Sequence, residues 1–274
     1  MAVPAFRTEK VNDRITRIFA PGAELMYLVE GDERAALLDT GSGIGFFRPL
    51  VEQLTEKPVL VLITHGHVDH AFGASEFPPE NVYISQEDAY IYEEHAAEAF
   101  RKANLFELGD AAGAIVPEED FAPVLPISAY HDLKEGDRFD LGGISVEIYA
   151  CPGHTRGSLA MLIPEEKMVL LGDACNSFTF LFDDYSTTVE EYQQSLMRLD
   201  AALAGKFETV LASHGDGWLA PEVIRENIAL CQRILDGHAD TAPFEFCGIQ
   251  GLIADTKVEP YHGNIVYHPD RIRK

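Results

Sequence analysis

The sequence predicts an α/β chain built as a layered sandwich, with two sheets inside and helices outside. Strand-like and helix-like runs alternate along its 274 residues. Each half passes from paired strands through a helix to a further strand, so the helices must cover the sheets. In each half an apolar strand also ends in a hydroxyl-His-Gly triplet, Thr64-His65-Gly66 and Ser213-His214-Gly215.

The elements follow in order. "ELMYLVE" and "RAALLDTG" flank Gly31-Asp32, which reads as a hairpin turn. Residues from about Phe46 to Leu54 suit a short helix. "PVLVLITH" is a continuous apolar run after a proline, expected of a strand covered on both faces. "NVYIS" is a shorter strand, and "QEDAYIYEEHAAEAFRKA" has helical composition. From about Leu105 to Ile127 the chain is rich in Ala, Gly, Pro and acid, which fits either a cover over a site or a solvated loop. With the helical stretch before it, this gives one domain over 1–274 carrying an inserted segment around 86–130.

The second half restarts the pattern. "DRFDLGGISVEIYACPG" predicts a hairpin turning at Gly142-Gly143, and "SLAMLIPEEKMVLLGD" one turning at Pro164-Glu165-Glu166. "TVEEYQQSLMRLDAAL" has apolar residues at helical spacing. "ETVLASHG" is an apolar strand, and "PEVIRENIALCQRILDG" carries proline near its start and glycine at its end, as a helix does. "GNIVYHPDRIRK" adds one strand.

Charge and composition limit the function. Asp plus Glu number 45 against 21 Lys plus Arg, a formal net charge of −24. Such a surface repels phosphate backbones and anionic lipid, so neither nucleic acid nor a membrane is an expected partner. No apolar window has the length of a signal core or a membrane span, and the expected location is cytoplasmic. Cys151, Cys175, Cys231 and Cys247 are scattered with no CxxC pair, so free thiols are expected, with Cys151 and Cys175 in the core.

The chemistry is concentrated in "THGHVDH". His65, His67, Asp69 and His70 fall within six residues, and packing four solvated groups together needs a compensating partner such as a metal. His65 and His67 are two apart in an extended segment, so both rings point the same way. Asp69 and His70 open a helix and leave in another direction, so one loop could serve two ions. Three further ligand-type residues sit at strand ends: His154 in "CPGHTRGS", Asp173 ending "MVLLGD" and His214 ending "VLASHG". Nitrogen and oxygen donors without thiolate suit zinc, manganese, iron or cobalt.

"THGHVDH", "PGHTRGS", "LLGD" and "SHG" occur in the order found in the metallo-β-lactamase superfamily, which the chain resembles from roughly Ile15 to Asp236. The resemblance implies a four-layer αββα sandwich with a dinuclear site at one edge of the two sheets. It implies that His65, His67 and His154 hold one divalent ion and Asp69, His70 and His214 the other, with Asp173 bridging. Zinc is the expected metal, with iron or manganese as alternatives. "LLDTG" matches an early Asp-Thr-Gly motif of the family, which brings Asp39 near the site. The implied activity is hydrolysis of an ester, thioester or lactone of a small molecule by a hydroxide between the metals. It implies that Asp69 is the catalytic residue, which would orient the hydroxide and ferry a proton to the leaving group.

True β-lactamases usually lack the counterpart of Asp173 and are exported, so antibiotic hydrolysis is not expected as the main role. Glutathione-recognising features of the glyoxalase II branch are not visible in "DACNSFTFLFDDYS". Two other outcomes stay open: a persulfide dioxygenase with one iron on His65, His154 and Asp173, and a metal-binding module without turnover. Phe178, Phe180 and Phe182 alternate, which fits core packing and also a hydrophobic substrate wall. Phe178 and Tyr185 are therefore candidate substrate contacts. A homo-oligomer is compatible with all of this.

Overall fold

The computed structural model of the protein describes residues 6–104, 120–246 and 248–274. Residues 105–119 of the expected insertion, and Cys247, lie outside the described residues. The chain divides into two compact units, one comprising Met1–Leu133, Asp137–Val146 and Ser213–Gly215, the other Lys134–Gly136, Glu147–Ala212 and Asp216–Lys274.

The first unit is built on a seven-stranded sheet whose spatial order follows the chain. Its strands are β1 (Arg7–Lys10), β2 (Ile15–Phe19), β3 (Leu25–Glu30), β4 (Ala35–Leu38), β5 (Val59–Leu62), β6 (Val82–Ile84) and β7 (His131–Asp132). β1 to β4 form an antiparallel meander. β4 to β7 run parallel to one another, which requires crossovers between them. The first crossover carries α1 (Arg48–Leu54), and the next carries α2 (Val68–Ala71). Val61, Leu62 and Ile63 are buried in succession, as the apolar run predicts for a central strand, while Val59 and Leu60 at its start are half-buried. One core holds Leu28, Leu37, Val61, Ile63, Phe72 and Val82 together.

The helical stretch after β6 is not a single helix. It is a 3-10 turn at Gln86–Asp88, α3 (Ala89–His95) and α4 (Glu98–Ala103), broken where Ala97 turns extended with φ −60° and ψ 128°. The break lets Phe100 fold back onto the His95 ring, with centroids 3.9 Å apart.

After β8 (Arg138–Asp140) comes β9 (Ser145–Ala150), and the turn between them has Gly142 and Gly143 at φ 86° and 73°, as the Gly-Gly pair predicts. The second unit continues with β10 (Leu159–Ile163), β11 (Met168–Leu170), β12 (Thr179–Leu181), α5 (Val189–Leu203), β13 (Thr209–Leu211), β14 (Trp218–Leu219) and α6 (Val223–Leu235). β15 (Ala242–Phe246), β16 (Ile249–Ile253) and β17 (Ile265–Tyr267) complete it. Within this unit one sheet runs β14-β13-β11-β10-β9 and another β12-β17-β16-β15. α5 starts at a capping box in which Thr188 and Glu191 exchange side-chain and backbone hydrogen bonds, and it buries Val189, Tyr192, Leu196, Leu199 and Leu203 along one stripe. No helix among the described residues is long and apolar enough to cross a membrane.

Candidate metal centre

In the first unit β5 ends at Leu62, and the chain then leaves the sheet carrying His65 and His67 before α2 begins. The extended stretch brings the two rings to one point: His65 Nε2 lies 3.0 Å from His67 Nδ1. Two nitrogens bound tetrahedrally to one zinc at about 2.1 Å would be about 3.4 Å apart. The separation is within a few tenths of an ångström of that, so this pair fits a common ion. Asp69, His70 and His214 each offer a ligand atom, all within 4.8 Å of one another. Asp69 Oδ2 is 3.5 Å from His70 Nε2 and 3.4 Å from His214 Nε2. His214 is held there because Leu25 N–H, at the start of β3, donates to the Ser213 carbonyl at 2.8 Å.

Asp39 fixes the protons behind these ligands. It is buried, with φ 62°, a left-handed conformation that Asp tolerates better than most residues. Its Oδ1 accepts Thr64 N–H at 2.7 Å, and its Oδ2 accepts the Thr64 hydroxyl and His70 Nδ1–H, both at 2.9 Å. A carboxylate only accepts, so the Thr64 hydroxyl points its proton at Asp39, and its oxygen is left to accept from His65 Nδ1 at 3.0 Å. Both His65 and His70 thus carry the proton on Nδ1 and turn the lone pair of Nε2 toward the cluster. Thr40 holds the other side of α2: its N–H and hydroxyl both donate to the His70 carbonyl, at 2.8 and 2.9 Å. Glu24 clasps the loop beyond, accepting Ser42 N–H and hydroxyl at 2.8 and 2.5 Å, and burial pushes its carboxyl above the ordinary range.

Two supports of the loop carry no signal in the sequence. Asp88 Oδ2 accepts Gly66 N–H at 2.8 Å. His95 Nδ1 accepts Val68 N–H at 3.3 Å, and its ring stacks on His67. Gly66 is needed for this approach and not for a left-handed turn, since a Cβ there would sit 2.9 Å from the Asp88 Cβ.

In the second unit β9 and β10 flank the loop bearing His154. His154 Nδ1 donates to the Phe180 carbonyl at 2.8 Å, so Nε2 again carries the lone pair, and it lies 3.9 Å from Asp173 Oδ2. Asn176 Nδ2 donates to the other oxygen, Asp173 Oδ1, at 3.2 Å. Gly153 allows the loop to lie on α5, since a Cβ there would meet Tyr192 Cδ2 at 2.1 Å while the Tyr192 hydroxyl is tied to the Ala174 carbonyl at 2.8 Å. Gly153→Ala is expected to cost about 1–3 kcal/mol through overpacking, read as a lower denaturant midpoint. An unchanged midpoint would mean that the loop is free to lift.

Cys151, Cys175 and Cys231 are free and buried among apolar side chains, as expected for the first two. Burial pushes the Cys175 thiol up to about 12, and its Sγ lies 3.2 Å from Asn227 Nδ2. Phe178 and Phe180 are half-buried against Phe244 and Phe246, with Phe178–Phe244 centroids at 6.1 Å and Phe180–Phe246 at 5.0 Å. Tyr185 is half-buried and hydrogen-bonds to the Asp183 carboxylate.

The Metallo-beta-lactamase superfamily profile matches residues 20–214, a span that contains all seven ligand-type residues and Asp39. An uncharacterised protein of Mycobacterium tuberculosis is 32% identical over 131 residues, covering 47% of this chain and 54% of that one. The chain thus spans about half the length of such mycobacterial relatives. The acyl-coenzyme A thioesterase MBLAC2 of Homo sapiens is 24% identical over 213 residues, covering 67% of this chain and 73% of that one. The hydroxyacylglutathione hydrolase GloC of Haemophilus influenzae is 26% identical over 198 residues, covering 69% and 84%. Among solved structures, a metallo-beta-lactamase from Pontibacter korlensis superposes with a TM-score of 0.58 at 18% identity, over 83% of this chain and 99% of that one. The likeness establishes the fold, and the layered α/β class expected from the sequence is correct.

Proposed function

Because the chain belongs to the metallo-β-lactamase superfamily, we propose that it is a metal-dependent hydrolase of small acyl compounds, holding two divalent ions and cleaving an ester, thioester or lactone. The observation that carries this is the donor set: His65 with His67, and Asp69 with His70 and His214, in the first unit, and His154 with Asp173 in the second, with the tautomers of His65, His70 and His154 fixed by Asp39, Thr64 and the Phe180 carbonyl. His65, His67 and His154 would hold one ion, Asp69, His70 and His214 the other, and Asp173 both. The oxygen and nitrogen donors suit zinc, with iron or manganese as alternatives. When bound, the ions would lower the pKa of a water to about 7 and polarise the scissile carbonyl.

The chain's own residues do the rest. Asp69 would accept a proton from the attacking water and hand it to the leaving group. Asn176 keeps Asp173 turned so that Oδ2 faces His154. Phe178 and Tyr185 are proposed to touch the substrate. Two relatives bear names of thioester-cleaving enzymes, MBLAC2 and GloC, which makes a thioester the first substrate to try.

The test is metal quantification on natively expressed protein coupled to a panel of thioesters, esters, lactones and phosphoesters. Two ions per chain with thioester, ester or lactone turnover is the expected result. Two ions without turnover of any of these, or one iron per chain with oxygen uptake on a persulfide, would overturn the proposal.

A further inference from the structure

We propose that His95 is a positioning residue for the metal loop, setting the ring plane of His67 and anchoring the amide that opens α2. The inference rests on the metal-holding role proposed above. His95 is buried at the end of α3, far along the chain from the motif it touches. Its ring lies face to face with His67, with centroids 4.9 Å apart and planes 15° from parallel. Phe100 covers its other face at 3.9 Å and 22°. Three rings therefore stack in the order His67, His95, Phe100.

The stack acts on a specific atom. His67 Nδ1 meets His65 Nε2 at 3.0 Å, and a partial turn of the His67 ring about its last side-chain bond would move Nδ1 from that point and tilt the ring off the His95 face. Face-on contact thus holds the ring plane in which Nδ1 and His65 Nε2 address a single point. The same imidazole acts on the backbone. A backbone N–H can only donate, so His95 Nδ1 accepts from Val68 and its own proton sits on Nε2. Val68 is the first residue of the helix that carries Asp69 and His70. With Asp88 on the Gly66 amide, residues next to and within α3 hold both amides that follow the ligand histidines His65 and His67. A hydrophobic residue could fill the space between His67 and Phe100, but it could not supply the acceptor. This gives the segment after β6 a function that its helical composition does not reveal.

Cobalt(II) binding to the metal-stripped full chain tests the proposal without any substrate. His95→Asn keeps an acceptor and loses the ring, whereas His95→Phe keeps the ring and loses the acceptor. His95→Asn is expected to bind cobalt about 10–100-fold more weakly and to shift its visible absorption bands. His95→Phe is expected to recover part of the affinity, since the stack on His67 remains, and the metal-free melting temperature should not track the affinity. Wild-type affinity and spectrum in His95→Asn would overturn the proposal, as would affinities that follow melting temperature alone in both variants. If the wild-type chain itself took up no cobalt, the metal-holding role would fall, and this inference with it.

Discussion

Asp69→Ala protein is expected to fold normally and to turn over its substrate about 10²–10⁴-fold more slowly than the wild type. The Asp69 side chain is one-third exposed, and its Oδ2 lies 3.5 and 3.4 Å from the Nε2 atoms of His70 and His214. Truncating it removes no core contact, so the melting temperature of the metal-free chain should barely move. Two losses then combine at the reaction: a ligand-type oxygen beside His70 and His214, and the only carboxylate in that first-unit cluster proposed to carry a proton. Metal content separates them. A chain that keeps two ions and loses turnover points to the proton, whereas a fall to one ion points to coordination. Turnover at the wild-type rate would remove Asp69 from the chemistry.

Asp39→Asn is expected to damage the site from behind. Asn tolerates the left-handed backbone at this position nearly as well as Asp, so shape is preserved and only the donor pattern changes. In the native chain the two carboxylate oxygens accept from Thr64 N–H, the Thr64 hydroxyl and His70 Nδ1–H. An amide puts an NH₂ where one oxygen stood, so at least one buried donor faces another. Reversing the Thr64 hydroxyl to relieve the clash would take away the acceptor of His65 Nδ1–H and loosen that ring too. The expected cost is about 3 kcal/mol of stability, from buried groups left without a partner. Metal affinity should fall about 10–100-fold. Calorimetry of the metal-free form reads the first effect and metal titration the second. Wild-type values in both would mean that the Asp39–Thr64–His65 chain does not set the tautomers.

Much of the candidate site was legible because its signal is local. Four ligand-type residues within six positions cannot be mistaken for core or loop chemistry, and each of His154, Asp173 and His214 follows a strand within four residues. Elements with clear periodicity were legible too, as α5 was from the stripe Val189, Tyr192, Leu196, Leu199 and Leu203. Elements that were missed lacked that signal or hid it. β1 is exposed along its whole length, so no apolar alternation marks it. β7 has two residues, too few for any period. The β15–β16 hairpin carries only a short one, Phe244 and Phe246 alternating with Pro243 and Glu245.

By itself the sequence determined the family and its ligand types, because strand-end motifs of fixed spacing carry both. It also determined most strands and helices, since burial of one face or one stripe imposes a period on the chain. Only the tertiary structure decided which nitrogen of His65, His70 and His154 carries the proton, because that follows from partners such as Asp39, Thr64 and the Phe180 carbonyl, which approach through sheet pairing and loop packing. It also decided that Gly66 serves close approach to Asp88, and that His95 and Phe100 stand behind His67. No pattern along the chain encodes a contact between residues whose meeting depends on where a helix breaks.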